Sequence, residues 1–128
     1  MRKILVVEDD RTYRTIMVKA LSRAGYLVSE AISGVEVITL LKSDPPDAIV
    51  TDILMPDMDG LELIRMIRAM NRDIVIIAVS GGAPNFDFLP AAALFGANAT
   101  MRKPLALGEL IALVQSKLDG QAPLVAAE

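Results

Sequence analysis

The sequence predicts an α/β protein built on one parallel sheet with helices on both of its faces. Five apolar runs alternate along the chain with five helix-like patterns, which is the alternation of a βαβ protein. The first, third and fourth runs are apolar on both faces, as the central strands of a parallel sheet are. At 128 residues, the chain has the length of one ordinary domain.

The first half of the chain contains two predicted strands and two predicted helices. KILVV (Lys3–Val7) is the first strand, and LVSEA (Leu27–Ala31) is the second. Between them an apolar stripe repeats at helical spacing, and Gly25 ends that helix. SGVE (Ser33–Glu36) has a cap residue with glutamate three positions later, so it should start the second helix. The stripe of the first helix consists of Tyr13, Ile16, Met17, Ala20, Leu21 and Ala24.

The second half continues the alternation. AIVTD (Ala48–Asp52), IVIIAV (Ile74–Val79) and ATMRK (Ala99–Lys103) are the remaining strand candidates. DGLE (Asp59–Glu62) repeats the capping pattern and should start the third helix. A short fourth helix is expected to start near Asp87, with a proline in its first turn. The apolar faces of the third and last helices are Leu63, Ile64, Ile67 and Met70, and Leu107, Leu110, Ile111, Val114 and Leu118.

Composition excludes several kinds of protein. The longest aliphatic run, Ile74–Val79, is too short to cross a bilayer, and the N-terminus lacks the apolar region of a signal peptide. The chain has no cysteine and no histidine, which excludes thiolate chemistry and removes the commonest general base. A net charge of −3 without a basic cluster argues against nucleic acid as a direct ligand. We therefore expect a cytoplasmic protein that binds neither nucleic acid nor membrane.

Polar residues fall where the predicted strands end. Glu8 and Asp9 follow the first strand, Asp52 ends the third, Ser80 follows the fourth and Lys103 ends the fifth. Because the carboxyl ends of parallel strands meet at one rim of the sheet, these side chains should form a common site. The other acids nearby are expected to be helix-cap or turn residues: Asp10, Asp57 and Asp59.

Three carboxylates brought together repel one another unless protons or a cation neutralise them. With oxygen ligands and no histidine or cysteine, Mg²⁺ fits best. A calcium loop fails on register, because Gly60 as its sixth residue would place Met55 first and Met66 twelfth. An ionised Asp52 beside Mg²⁺ is a competent nucleophile toward phosphorus, and Lys103 and Ser80 can contact phosphoryl oxygens.

The motifs ILVVEDD, DAIVTDILMPDMDGLELI, IIAVSGG and GANATMRKPLALGEL resemble those of the response regulator receiver domain of two-component signalling. The resemblance covers nearly the whole chain and implies a flavodoxin-like (βα)5 fold with strand order 2-1-3-4-5. It implies that Asp52 is the phosphorylation site and that Lys103 and Ser80 are the lysine and the Ser/Thr switch residue. It also implies a typically cis Lys103–Pro104 bond. The implied Mg²⁺ ligands are Glu8, Asp9, Asp52 and the backbone carbonyl of Leu54.

The family also implies partners and a mode of action. The phosphoryl group would come from the phosphohistidine of a sensor histidine kinase or a histidine phosphotransfer protein, and the switched domain would control a downstream protein. The chain would not be an enzyme beyond catalysing its own phosphoryl transfer and dephosphorylation. We expect a receiver domain over residues 1–120 and a short tail over 121–128, acting as a stand-alone regulator or phosphorelay intermediate.

The sequence departs from the family pattern in three places. Thr100 stands where most receivers have Tyr or Phe, which puts the usual aromatic switch in doubt. Ala106 stands where a Ser or Thr often caps the last helix, so that helix should begin loosely. The fourth helix carries few charges; its face beside Thr100 is a candidate for partner docking. Core packing is expected for most of its apolar residues and those before it: Phe86, Phe88, Leu89, Leu94 and Phe95.

Other protein classes fit less well. A haloacid-dehalogenase-type phosphatase needs a second acid two residues after its nucleophile, where this chain has Leu54. A flavodoxin-like flavin-binding protein expects a Ser/Thr-rich phosphate loop after the first strand, and EDDR is acidic there. A degenerate receiver that binds partners without phosphorylation stays as the alternative, although every chemical position of the family is filled.

Overall fold

The computed structural model describes residues 2–55, 59–81 and 86–120, and within them five strands and five helices alternate as predicted. Asp57, Gly82 and the tail 121–128 lie outside these residues. In chain order the elements are β1 Lys3–Val7, α1 Arg11–Arg23, β2 Leu27–Ala31, α2 Gly34–Ser43, β3 Ala48–Asp52, α3 Gly60–Met70, β4 Val75–Ser80, α4 Leu89–Phe95, β5 Ala99–Arg102 and α5 Leu107–Asp119.

The five strands form one parallel sheet in the order β2-β1-β3-β4-β5, which confirms the predicted fold class. Three predicted strand bounds were wrong by one residue: β4 runs over Val75–Ser80 and not Ile74–Val79, and β5 ends at Arg102 and not at Lys103. Ser80 belongs to β4, because it pairs with Arg102 on β5. Lys103 lies just after β5, although its backbone N–H still donates to the carbonyl of Ser80 at 3.0 Å. Both residues nevertheless lie at the rim where the parallel strands end.

The sheet separates two apolar clusters. On one face, β1, β3 and β4 pack against α1 and α5 through residues such as Met17 and Val114; we call this the α1–α5 face. On the other face, the same strands pack against α2, α3 and α4 through residues such as Val37 and Ile64, which form the α2–α4 face. As predicted, β3 and β4 are buried along their whole length, and β1 is buried after Lys3.

Side-chain caps start the first three helices where the sequence predicts them. The carboxylate of Asp10 accepts from the backbone N–H groups of Thr12 and Tyr13. Ser33 caps α2, and the carboxylate of Glu36 reaches back to the N–H of Ile32 at 2.8 Å. Each contact satisfies an N–H group that the helix itself leaves without a partner.

None of the helices in the described ranges is long and apolar enough to span a bilayer.

The fourth helix is short and begins at Leu89, two residues after Asp87, with Pro90 in its first turn as predicted. The Asp87 carboxylate accepts from the backbone N–H of Leu89 at 3.2 Å. The core packing expected for most of its apolar side chains was wrong, since a helix of only seven residues turns little more than one face toward the sheet. Leu89 is buried and Phe88 partly buried, but the exposed fractions are 57% for Phe86, 86% for Leu94 and 38% for Phe95.

Two further apolar residues expected on buried helix faces are exposed. Ile16 on α1 is 41% exposed and Met70 on α3 is 43% exposed. Both lie at the margin of their stripe, where the helix turns away from the sheet. The remaining core of each helix is as predicted, with Met17 and Leu21 buried on α1.

Arg68 on α3 ties three segments together. Its guanidinium donates hydrogen bonds to the carbonyls of Gly96, Arg72 and Ile74 and to the side-chain oxygen of Asn98, at distances from 2.7 to 3.2 Å. That same oxygen of Asn98 accepts from the N–H of Ile76 on β4 at 2.7 Å. One side chain therefore holds the end of α3, the start of β4 and the turn between α4 and β5.

The last helix begins at Leu107, and its N-cap residue, Ala106, provides no side-chain hydrogen bond, in line with the sequence. Ala106 already has extended backbone, as N-cap residues do, so Ala106→Ser should place a hydroxyl near the free N–H groups of the first turn. We expect the free energy of unfolding, measured by urea denaturation, to rise by about 1 kcal/mol. Ala112→Ser, on the exposed side of the same helix, is the control and should not stabilise the protein. Equal effects of the two changes would contradict the cap argument.

Candidate functional site

Strand alternation places three charged side chains on the α1–α5 face of the sheet. The residues two and four positions before Glu8 and before Asp52 belong to the α1–α5 cluster, and so does Met101, two positions before Lys103. Because side chains alternate between the faces of a strand, Glu8, Asp52 and Lys103 are directed to the same side. The predicted meeting of these residues at one rim is what the structure shows.

Lys103 lies between the two buried carboxylates. Its Nζ is 2.7 Å from Oε1 of Glu8 and 3.3 Å from Oδ2 of Asp52. The other oxygen of Asp52, Oδ1, accepts from the backbone N–H of Leu54 at 3.3 Å. Contacts on both oxygens fix the orientation of the Asp52 carboxylate at the end of β3.

Burial of two carboxylates beside a single ammonium group is electrostatically unfavourable. Glu8 is fully buried and Asp52 is 6% exposed, whereas one ammonium group serves both of them. Burial raises the pKa of Glu8 to about 7, against the lowering effects of Lys103 and of the backbone N–H of Asp10. Burial alone would lower the pKa of Lys103, but the bond to Glu8 and the charge of Asp52 outweigh it, so this pKa is raised. The site therefore carries negative charge in excess of its own cation.

The raised pKa of Glu8 predicts a pH-dependent stability. The folded chain holds this proton up to about pH 7, whereas the unfolded chain loses it near pH 4.5, so stability should fall as pH rises between these values. In Glu8→Gln that loss is absent. We expect the variant to exceed the unaltered chain in free energy of unfolding by on the order of 2 kcal/mol at pH 8, measured with a chelator present. Glu109→Gln, an exposed carboxylate on α5, is the control, and identical pH slopes for all three proteins would contradict the argument.

Asp9 completes an acidic group that could hold a metal ion. A carboxylate oxygen from each of Glu8, Asp9 and Asp52 lies within 4.8 Å of the others, and Asp9 is exposed. A set of three carboxylates suits a hard divalent cation such as Mg²⁺, which takes few carboxylates and keeps several waters. A cation here would also neutralise the charge that Lys103 leaves uncompensated.

The two expected switch residues lie on β4 and β5. Ser80 is buried at the end of β4, one position beyond Val79, which pairs with Asp52, and its carbonyl accepts from the backbone N–H of Lys103. Thr100 pairs with Ala78 and lines a groove between α4 and β5. The Lys103–Pro104 peptide bond is cis.

Sequence reasoning missed two residues of α1 at this site. The ring of Tyr13 lies over the Lys103 ammonium, with Nζ 4.3 Å from the ring centroid, a favourable cation–π contact. Arg14 donates from Nη1 to the carbonyl of Glu8 at 2.9 Å. The only signal for either was its place in the first turn of α1, directly after the acidic residues, and the apolar stripe assigned Tyr13 to the core.

Comparison with known proteins adds a family and a fold. The sequence matches the family model described as "Response regulator receiver domain" over residues 4–115. It is 39% identical over 126 residues to "Response regulator MprA" of Mycobacterium bovis, a match that covers 98% of this chain and 54% of that protein. The same protein of Mycobacterium avium is 38% identical over 121 residues, covering 94% and 53%. The chain thus spans about half the length of the curated relatives it matches.

Solved structures agree. The chain resembles the crystal structure of a "response regulator receiver domain protein (CheY-like)" from Methanospirillum hungatei with a TM-score of 0.88 and 27% identity, covering 94% of this chain and 96% of that one. A putative response regulator from Chloroflexus aurantiacus gives a TM-score of 0.85 and 29% identity, covering 92% and 98%.

Proposed function

The chain belongs to the response regulator receiver domain family of two-component signalling, and from this premise we propose that Asp52 is its phosphoacceptor. The observation that carries the proposal is the buried carboxylate at the end of β3, both of whose oxygens are in contact with a donor. Lys103 contacts one of its oxygens, and the N–H of Leu54 contacts the other. A fixed, ionised carboxylate beside a cation is suited to attack phosphorus, with the bond from phosphorus to the donor nitrogen breaking as the new P–O bond forms.

The same proposal includes a magnesium site. Glu8, Asp9 and Asp52 would hold the ion with the backbone carbonyl of Leu54, and the three clustered carboxylates support this. When bound, Mg²⁺ would supply neutralisation of the carboxylates and of a phosphoryl oxygen. Lys103, already between Glu8 and Asp52, would pair with a phosphoryl oxygen once the acyl phosphate forms. Asp9→Ala should then weaken Mg²⁺ binding more than Glu8→Ala, since the second acid is the direct ligand in the family.

A partner protein is the proposed source of the phosphoryl group. Response regulators are phosphorylated by histidine kinases, and this chain has no histidine of its own, so a partner's phosphohistidine is the proposed donor. A sensor kinase and a histidine phosphotransfer protein are both compatible with that chemistry. We also propose that the protein lies in the cytoplasm and acts on a downstream protein. Its receiver domain would extend over residues 1–120, and its chemistry would be limited to its own phosphorylation and dephosphorylation.

A small phosphodonor tests the proposal directly. Phosphoramidate with Mg²⁺ should add one phosphoryl group by intact mass, and a chelator should prevent the addition. Borohydride reduction followed by peptide mapping should then locate the acyl phosphate at Asp52. No addition would favour the degenerate receiver, and labelling at a Ser or Thr would contradict the assignment.

We propose further that Ser80 is the residue that responds to the phosphoryl group and starts the conformational change. Its place at the end of β4, next to the strand of Asp52, supports a hydroxyl contact to a phosphoryl oxygen, which would draw the following loop with it. In most relatives an aromatic ring then moves into the freed space, but Thr100 is too small to do so. The change should therefore stay in the loop after β4 and in α4.

Hydrogen exchange distinguishes this account. Phosphorylation should alter exchange strongly between Ser80 and Phe95 and weakly around Thr100. Ser80→Ala should leave Asp52 phosphorylation possible and suppress the change, because the contact that differs between the two states is gone. A change centred on β5 and α5, or one that persists in Ser80→Ala, would contradict it.

A further inference from the structure

Arg14 holds the backbone of the acidic segment after β1. Its Nη1 is 2.9 Å from the carbonyl oxygen of Glu8 and 3.4 Å from that of Asp9. Its Nε donates to Oε1 of Glu30, near the end of β2, at 3.0 Å. The side chain is 16% exposed, so the guanidinium is largely enclosed between α1 and β2.

The carbonyls that Arg14 contacts lie where sheet pairing runs out. The ladders of β1 with both neighbours end at Val7, and past it the N–H of Glu8 still donates to Ala31. Beyond that point the chain must leave the strand and direct the side chains of Glu8 and Asp9 toward Asp52. Nη1 of Arg14 contacts both successive carbonyls, and because Nε in the same rigid plane is bonded to Glu30, the direction of Nη1 is fixed, which restricts this turn more than a mobile point charge would.

We propose that Arg14 is a positioning residue of the metal site, acting through the backbone of Glu8 and Asp9. The inference rests on the proposed function, because it assumes that these carboxylates hold Mg²⁺. Glu30 serves as the orienting partner that keeps the guanidinium aimed at the carbonyls. Groups that orient metal ligands without touching the metal contribute strongly to metal affinity.

Electrostatics and positioning predict opposite results when Arg14 is removed. Loss of a positive charge near a cation site favours the cation, so a charge effect alone would tighten Mg²⁺ binding. Loss of the carbonyl contacts lets the acidic segment move and weakens binding. Arg11 offers the matched control, since it is an exposed arginine in the first turn of the same helix.

The test is calorimetric titration of Mg²⁺ into the full chain and its variants. Arg14→Met, which keeps the aliphatic stem, should weaken binding by about 10-fold. Arg11→Met should leave the affinity unchanged or slightly higher. Arg14→Lys should give partial rescue, because it keeps the charge but not the fork. Glu30→Gln should cause a smaller loss than Arg14→Met.

The outcomes separate this inference from the proposed function. If the unaltered chain binds no Mg²⁺, the proposed metal site is wrong and this inference falls with it. If the unaltered chain binds Mg²⁺ and Arg14→Met binds as tightly as Arg11→Met, the inference alone is overturned. Should Arg14→Met fail to fold, Arg14→Lys decides, because it keeps the charge: weaker binding than in the unaltered chain supports the inference, and equal or tighter binding overturns it.

Discussion

Replacement of Asp52 by asparagine should leave the chain unable to accept a phosphoryl group from phosphoramidate. The amide has nearly the shape of the carboxylate, so its oxygen can still accept from the N–H of Leu54 and the variant should fold. It lacks the charge that makes the oxygen nucleophilic and that pairs with Lys103. Intact mass after incubation with phosphoramidate and Mg²⁺ should show no added phosphoryl group.

Asp59→Asn is the matched control for this experiment. Asp59 is an exposed carboxylate in the same connection between β3 and α3, where it caps the helix through the N–H of Leu61 at 2.9 Å. Asparagine caps helices about as well as aspartate, so the control should fold and label like the unaltered chain. Labelling of Asp52→Asn at another residue, or loss of labelling in Asp59→Asn, would each refute the assignment of the acceptor.

Gly60→Ala should destabilise the protein by about 3 kcal/mol or more. A Cβ at this position would lie 2.4 Å from the carbonyl oxygen of Ile53, 2.5 Å from its Cα and 2.7 Å from its carbonyl carbon. These are backbone atoms and cannot yield as a flexible side chain would. The start of α3 would have to move away from the end of β3, which breaks the 3.0 Å hydrogen bond from the N–H of Gly60 to the Ile53 carbonyl.

The damage should reach the site, because Ile53 lies between Asp52 and Leu54. We therefore expect weaker Mg²⁺ binding in Gly60→Ala together with a lower urea midpoint. Gly108→Ala is the control: it lies in the first turn of α5, nothing lies within 4 Å of the added Cβ, and alanine favours helix. It should be neutral or stabilising by up to about 1 kcal/mol. A Gly60→Ala protein as stable as Gly108→Ala would show that the close approach to Ile53 is not a constraint.

Local patterns in the sequence were sufficient for the elements and for the rim of the sheet. Strand runs, caps at Asp10, Ser33 and Asp59, and polar residues at strand ends are encoded by neighbours in the chain, and each is found, with the bounds of β4 and β5 shifted by one residue. The meeting of Glu8 with Lys103 also followed, because parallel topology brings the carboxyl ends of strands together.

What the sequence did not reveal depends on contacts between side chains and distant backbone. Arg14 and Arg68 both bind carbonyl oxygens, and every residue has a carbonyl, so no residue type marks the acceptor. The exposure of Leu94 was missed for another reason: the burial of an apolar residue depends on how much of a short helix faces the sheet. Tyr13 was correctly expected to pack against the core. The position of its ring over Lys103 depends on tertiary structure and could not be predicted from neighbouring residues in the chain.

The bonds made by Arg68 bear on how α4 can diverge. This helix has no charged residue and no side-chain cap, and its C-terminal turn is held from outside by a side chain of α3. The outward residues of α4 are therefore not needed to keep the helix in place. Substitutions at Leu94 can change the exposed surface of the helix at little cost to folding, while the hydrogen bonds of Arg68 and Asn98 keep α4 in place.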